Sequence, residues 1–97
     1  MATANKKLIR FIETTRFEKL PKAVIHQVKR AMLDTSGCIL SGLKTPLGNS
    51  VLALSRQSPF SEGATVPGIA HRVVPNMAAM ANSFLANALD ADDGHRM

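Results

Sequence analysis

Apolar residues recur at helical spacing through most of this chain. Leu8, Ile9 and Ile12 repeat at intervals of three and four, with Phe11 and Phe17 nearby, and predict a short amphipathic helix over residues 6–15. Residues 1–5 carry no such pattern and are expected to be disordered. The clearest pattern covers residues 21–41. Pro21 suits the first helical position, where its missing N–H is harmless. On a helical wheel Val24, Ile25, Val28, Ala31, Met32, Thr35, Cys38 and Ile39 share one stripe, and His26, Lys29, Arg30, Asp34 and Ser41 lie off it. That predicts a core-facing helix with a wet side. Leu33 and Leu40 form a second apolar face, so the C-terminal half is expected to be buried on two sides. Gly37 is expected to permit close helix contact, and Gly42 to stop the helix.

Thr45-Pro46 reads as an N-cap followed by proline at the first helical position. Leu47, Val51, Leu52 and Leu54 then give a third helix, ending near Arg56. Ser58-Pro59 and Glu62-Gly63 mark residues 57–63 as a loop. Ala64-Thr65-Val66 and Arg72-Val73-Val74 are the expected arms of one short β-hairpin near residues 64–74. Pro75 opens a last helix over residues 75–89. Its apolar side is read as Met77, Met80, Ala81, Phe84 and Ala88, extended by Leu85 and Leu89. Asn76, Ser83, Asn87 and Asp90 form a narrow polar seam opposite, which either faces water or lines a polar cavity. The expected fold is mainly α, one domain over residues 1–97 without repeat or linker. Helices apolar on two sides need more neighbours than this chain supplies. An exposed apolar patch of roughly several hundred Å² is therefore expected.

Composition adds limits. Hydrophobic residues make up 45% of the 97 residues and aromatic ones 4%, so the core must be aliphatic. The net charge of +5 is uneven, with about +6 on residues 1–44 and −1 on the remainder. No aromatic or Gly-rich nucleic-acid module accompanies the basic half, so a solvated helical surface is the preferred reading and no nucleic-acid partner is expected. Cys38 is the one cysteine. It excludes an internal disulfide and reads as a buried thiol in a reducing compartment. No signal-peptide pattern and no membrane-length apolar run is present, so a cytoplasmic protein with no membrane partner is expected.

The unusual stretch is Asp90-Ala91-Asp92-Asp93-Gly94-His95-Arg96. It places three of the seven carboxylates at the end of a helix, where each exposed negative charge typically costs roughly 0.3–1 kcal/mol. Something beyond stability justifies the cluster. Carboxylates and an imidazole suit a divalent metal, an acid–base pair, or a cluster that pairs with arginine or lysine from another segment. A calcium loop of the EF-hand kind does not fit, because the acids fall at positions 1, 3 and 4 and no closing glutamate follows.

Leu20-Pro21-Lys22-Ala23-Val24, then Met32-Leu33-Asp34-Thr35-Ser36-Gly37-Cys38-Ile39-Leu40-Ser41-Gly42, then Ala64-Thr65-Val66-Pro67-Gly68, and then Ala78-Ala79-Met80-Ala81-Asn82 leading to Leu89-Asp90-Ala91-Asp92-Asp93 resembles the N-terminal portion of the MmgE/PrpD family. That family includes 2-methylcitrate dehydratase, cis-aconitate decarboxylase and iminodisuccinate epimerase. The resemblance implies part of a helical domain, which complete members combine with a smaller lid domain, and homodimers. It implies chemistry without an added cofactor and without a metal. Asp90 matches an active-site aspartate, and Asp92 and Asp93 match the rest of the acidic motif. Gly94 stands where many members have threonine. His95 falls where members often have histidine, although the principal catalytic histidine lies further on. Asp90, Asp93 and His95 are the expected catalytic residues, with Asp93 orienting, and Asn87, Asp92 and Arg96 the expected contacts to a small carboxylate substrate. The resemblance also implies lid lysines and arginines that have no counterpart among these residues, so the chain looks like an N-terminal piece, expected to be inactive alone. The alternative is a non-catalytic helical subunit that pairs with a separate chain.

Overall fold

The computed structural model describes residues 3–90. Helix α1 covers Ala4–Thr14, α2 Lys22–Gly42, α3 Pro46–Ser55 and α4 Pro75–Asn87, with strand β1 at Pro59–Ala64 between the last two helices. The mainly α expectation holds. The chain divides into two compact units, residues 1–30 and 31–97, and the boundary falls within α2.

In the first unit α1 starts earlier than its apolar pattern. The Thr3 hydroxyl caps it by accepting from the Lys6 N–H at 3.4 Å, so residues 3–5 are ordered rather than a loose start. A single 3₁₀ turn at Phe17–Lys19 follows. Pro21 lies just before α2 and its carbonyl accepts from Val24 and Ile25. None of the α1 residues is buried, and Leu8, Ile9, Phe11, Ile12 and Phe17 stay exposed.

The core belongs to the second unit. Val51, Leu52, Val66, Val73, Ala78, Ala81 and Leu85 are buried, and Ile39, Leu43, Ala64, Ile69 and Met77 pack around them. Helix α3 forms as expected. Thr45 Oγ1 accepts from the Gly48 N–H at 2.9 Å, Pro46 sits in the first turn, and Gly48, Val51, Leu52 and Ser55 face inward at helical spacing. Ser55 settles its buried hydroxyl on the Val51 carbonyl at 2.7 Å.

Helix α2 departs from expectation. Val24, Val28 and Met32 are exposed although they belong to the stripe read as core-facing, and Leu33 and Leu40 are 76% and 56% exposed on the second face. Of the expected stripe Ile39 does pack against the core, and the buried Gly42 joins it there. The glycine roles are exchanged as well. A Cβ at Gly37 would meet nothing within 4 Å, whereas one at Gly42 would collide with the Leu85 backbone of α4. One at Gly48 would collide with the Gly42 carbonyl. Gly42 is thus required because two backbones come together there, and it is not a left-handed cap.

The strand is also displaced from its expected place. β1 occupies part of the stretch read as a loop, and it bridges Val73 antiparallel from both Pro59 and Ala64. Phe60 N–H donates to Arg72 and Val74 N–H to Ser58, at 2.9 and 3.0 Å. Val73 is therefore the right partner, but Thr65 and Val66 are not strand. Proline is acceptable at the first residue of a strand, and Gly63 is needed where the Val73 carbonyl approaches. Val66 instead starts a turn over Pro67 and Gly68 (φ 87°), closed by the Ile69 N–H on the Val66 carbonyl at 3.1 Å. Among the described residues, sixteen large apolar side chains are at least 37% exposed, in line with the expected apolar surface.

Gly42→Ala is expected to lower stability by about 1–3 kcal/mol or more, since backbone must move. Gly37→Ala is expected to raise it by about 0.5–1 kcal/mol, the usual helical gain where space is open. Urea unfolding of the two variants beside the parent checks both signs, and a tolerated Gly42→Ala would refute the close approach.

Candidate functional site

Helix α4 carries the site, and its buried face keeps Ala81 and Leu85 of the expected apolar side but adds Ala78 and leaves out Met80 and Phe84. Ala78, Ala81 and Leu85 turn inward, while Met80 and Phe84 are 37% and 47% exposed. The small residues let the α4 backbone reach Gly42. Asn76, Ser83, Asn87 and Asp90, the polar seam, are all exposed. Ser83 donates to the Ala79 carbonyl at 2.7 Å, and Asn76 Oδ1 accepts from the Met77 N–H at 2.9 Å. Asn87 shares a shallow cavity of about 270 Å³ with Met80, Ser83 and Phe84.

The helix ends two residues earlier than expected, with Ala88 as its C-cap. Asp90 N–H then donates to the Asn87 carbonyl at 3.0 Å, and Asp90 takes φ 51°. Among the described residues it is the non-glycine residue with a left-handed backbone. Aspartate is one of the few types that enter this region readily, yet the conformation still costs roughly 1–2 kcal/mol. Asp90, the first residue of the acidic motif, thus lies off the helical path of α4. Of the residues singled out from the sequence, the structure brings Asn87 and Asp90 together here. Asp92, Asp93, His95 and Arg96 lie outside the described residues.

Sequence reasoning missed the groove that runs beside this turn. Leu89 forms one wall of a cavity of about 560 Å³ with Leu33, Asp34, Gly37, Cys38 and Ser41. It also borders a cavity of about 530 Å³ lined by Leu40, Ser41, Lys44 and Thr45. Both are open to solvent. The recess lies next to Asp90 in sequence, although Asp90 itself lines neither cavity. The available signal was the second apolar face of α2, which needs something to cover it. Asn82 plays a different part. Its Nδ2 donates to the Thr65 carbonyl at 3.0 Å, fastening α4 to the segment after β1, and its Oδ1 is buried without a partner.

Among the described residues, no cluster of three or more histidine, cysteine or acidic side chains is placed to hold a metal ion. Among the same residues, no helix is long and apolar enough to cross a membrane.

A short helical domain that delivers an aspartate on a left-handed turn beside a groove is the class of unit these observations define. The model of the MmgE/PrpD N-terminal domain matches residues 6–97, and the chain belongs to that family. No curated protein and no solved structure matches the chain significantly.

Replacing Asp90 with glycine is expected to raise stability by up to about 1 kcal/mol, and with valine to lower it by about 1–2 kcal/mol. Asp90→Asn is expected to be nearly neutral, because asparagine also accepts a left-handed backbone. Thermal unfolding of the three variants checks the order, and a valine variant as stable as the parent would remove the turn from the argument.

Proposed function

We propose that this domain supplies the acidic part of the active site of a lyase or isomerase acting on small di- or tricarboxylates. The observation that carries the reading is the left-handed turn of Asp90 directly after α4, in a chain of the MmgE/PrpD N-terminal domain family; the sequence resemblance implies that Asp90 corresponds to an active-site aspartate. The reaction class is removal of a proton next to a carboxylate, followed by loss of water, loss of CO₂ or return of the proton to the other face. Asp90 and His95 take part in the proton transfers, and Asp93 orients. Asn87, Asp92 and Arg96 contact the substrate. No cofactor is invoked, because carboxylates and an imidazole are sufficient acids and bases for these steps.

Electrostatics sets a condition on this reading. A carboxylate substrate is repelled by an aspartate cluster, by several kcal/mol once water is excluded. Lysine, arginine or histidine from other segments must therefore meet the substrate anions, and the aspartates hold those cations or donate while protonated. This is why the 97 residues alone are expected to be inactive. A second reading draws on the exposed apolar side chains among the described residues, which suit a non-catalytic helical subunit paired with a separate chain.

The test joins this domain to the remaining segments of the family fold, in one chain or as two. A panel of di- and tricarboxylates in D₂O is followed by NMR for deuterium uptake, water loss or CO₂ loss. Turnover is expected, and Asp90→Asn is expected to lower kcat by about 10²-fold or more. Turnover untouched by Asp90→Asn would overturn Asp90's role. No turnover of any substrate in the completed assembly would favour the helical-subunit reading.

A further inference from the structure

We propose that the recess over the turn between α2 and α3 is a binding subsite in which Lys44 receives one carboxylate of a small organic acid. The inference deepens the proposed function and rests on that reading for the substrate. The recess itself is defined by the fold. Its walls are Leu40 and Ser41 in the last turn of α2, Lys44 and Thr45 in the connecting turn, and Leu89 after α4. They surround about 530 Å³, within the range of small-molecule pockets.

The turn holds Lys44 from both sides. Its N–H donates to the Ser41 carbonyl at 3.4 Å, and the N–H of Thr45 donates to the Gly42 carbonyl at 3.2 Å. Thr45 Oγ1 donates to the same Gly42 carbonyl at 2.7 Å while it caps α3 at Gly48. The Gly42 carbonyl lies against Gly48, so the turn is clamped where α2 meets α3. The side chain of Lys44 is uncommitted. It is exposed, and among the described residues no carboxylate is paired with its ammonium. Asp34 lines the adjoining cavity and not this one.

The donors present select the ligand. Ser41 spends its proton on the Gly37 carbonyl at 3.0 Å, and Thr45 spends its own on Gly42. The ammonium of Lys44, with three N–H donors, is therefore what the described side chains of the recess offer to a ligand oxygen. A compact positive charge takes an anion. The exposed side chains of Leu40 and Leu89 add apolar contact that an inorganic ion does not use. A carboxylate on a short carbon skeleton satisfies both. Leu89 also sets how such a molecule lies. It is the neighbour of Asp90, and consecutive Cα atoms are about 3.8 Å apart. A di- or tricarboxylate with one end on Lys44 and its chain along Leu89 presents its next carbons to the end of α4. Lys44 thus offsets the repulsion from Asp90 for one charge of the substrate, and its other charges need cations from elsewhere.

The experiment titrates the nitrogen-15-labelled 97-residue chain with succinate and with tricarballylate at constant ionic strength. Succinamide and inorganic phosphate are the controls. Amide signals of Ser41, Lys44, Thr45 and Leu89 are expected to move together and to saturate at about millimolar carboxylate. Both controls are expected to bind about fivefold more weakly or worse. Lys44→Met is expected to weaken carboxylate binding about five- to tenfold, Lys44→Glu to abolish it and Lys44→Arg to keep it. Carboxylates that leave these signals unmoved, or that bind the Met variant as tightly as the parent, would overturn the proposal. Phosphate binding as tight as that of succinate would overturn the assignment to an organic acid. The catalytic reading is tested separately. In the completed assembly Lys44→Met is expected to raise KM about fivefold or more. An unchanged KM, beside a kcat lost to Asp90→Asn, removes Lys44 and keeps the catalytic reading. Carboxylate binding at Lys44 with no turnover of any substrate keeps the subsite and removes the catalytic reading.

Discussion

The second unit rests on one close approach, that of the α2 backbone at Gly42 to the α4 backbone at Leu85. A side chain of any size at Gly42 would hold the two helices apart, and Gly48 repeats the requirement where α3 begins, against the Gly42 carbonyl. Three helices thus converge with almost no side-chain volume between their backbones. The aliphatic core then fills the space to one side of this junction, with Leu52, Val66, Val73 and Leu85 as its larger buried members. Close packing of this kind makes a small residue worth more than a large apolar one, since interiors fill to crystal-like density and have little slack.

That preference explains which parts of the fold were legible in the sequence. Thr45-Pro46 announced α3 because capping is local, settled by one hydroxyl and the N–H groups of the next turn. The existence of all four helices followed from periodicity, which is also local. The buried face of α4 did not. Met80 and Phe84 are more hydrophobic than Ala78, and a wheel drawn by hydrophobicity turns them inward and leaves Ala78 out. The contact at Leu85 needs small neighbours, so the alanines are buried and the larger residues are left outside. Gly37 and Gly42 were exchanged for the same reason, because nothing near either glycine in sequence says which one a distant backbone will meet. The strand was misplaced because Ser58-Pro59 and Glu62-Gly63 carry turn chemistry, and only the approach of Val73 gives those residues a partner.

The candidate site divides along the same line. Asn87 and Asp90 were recognisable as neighbours at the end of a helix, and the structure joins them through a backbone hydrogen bond. The left-handed turn at Asp90 was hidden, since periodicity placed the helix end two residues later. The groove along α2 was hidden too, because it depends on where Leu89 comes to lie once α4 has docked on Gly42. A tertiary contact made by a glycine thus decides what surrounds Leu89 at the end of α4.

The same geometry bears on how Asp90 could do chemistry. An exposed carboxylate interacts with a unit charge at 4 Å by only about 1 kcal/mol in water, against about 4 kcal/mol at the effective dielectric of a partly covered site. Asp90 is exposed at the end of α4, so in this setting its charge is almost fully screened. What the domain fixes is direction. The left-handed turn sets the backbone at Asp90, at the cost of strain, and the junction at Gly42 anchors the helix that precedes it. Under the proposed function, desolvation of this carboxylate, and with it both its catalytic leverage and the penalty for leaving it unpaired, comes from other segments. Position and dielectric are therefore contributed by different surfaces, and a cover that brings a cation turns the exposed acid from a liability into a working group.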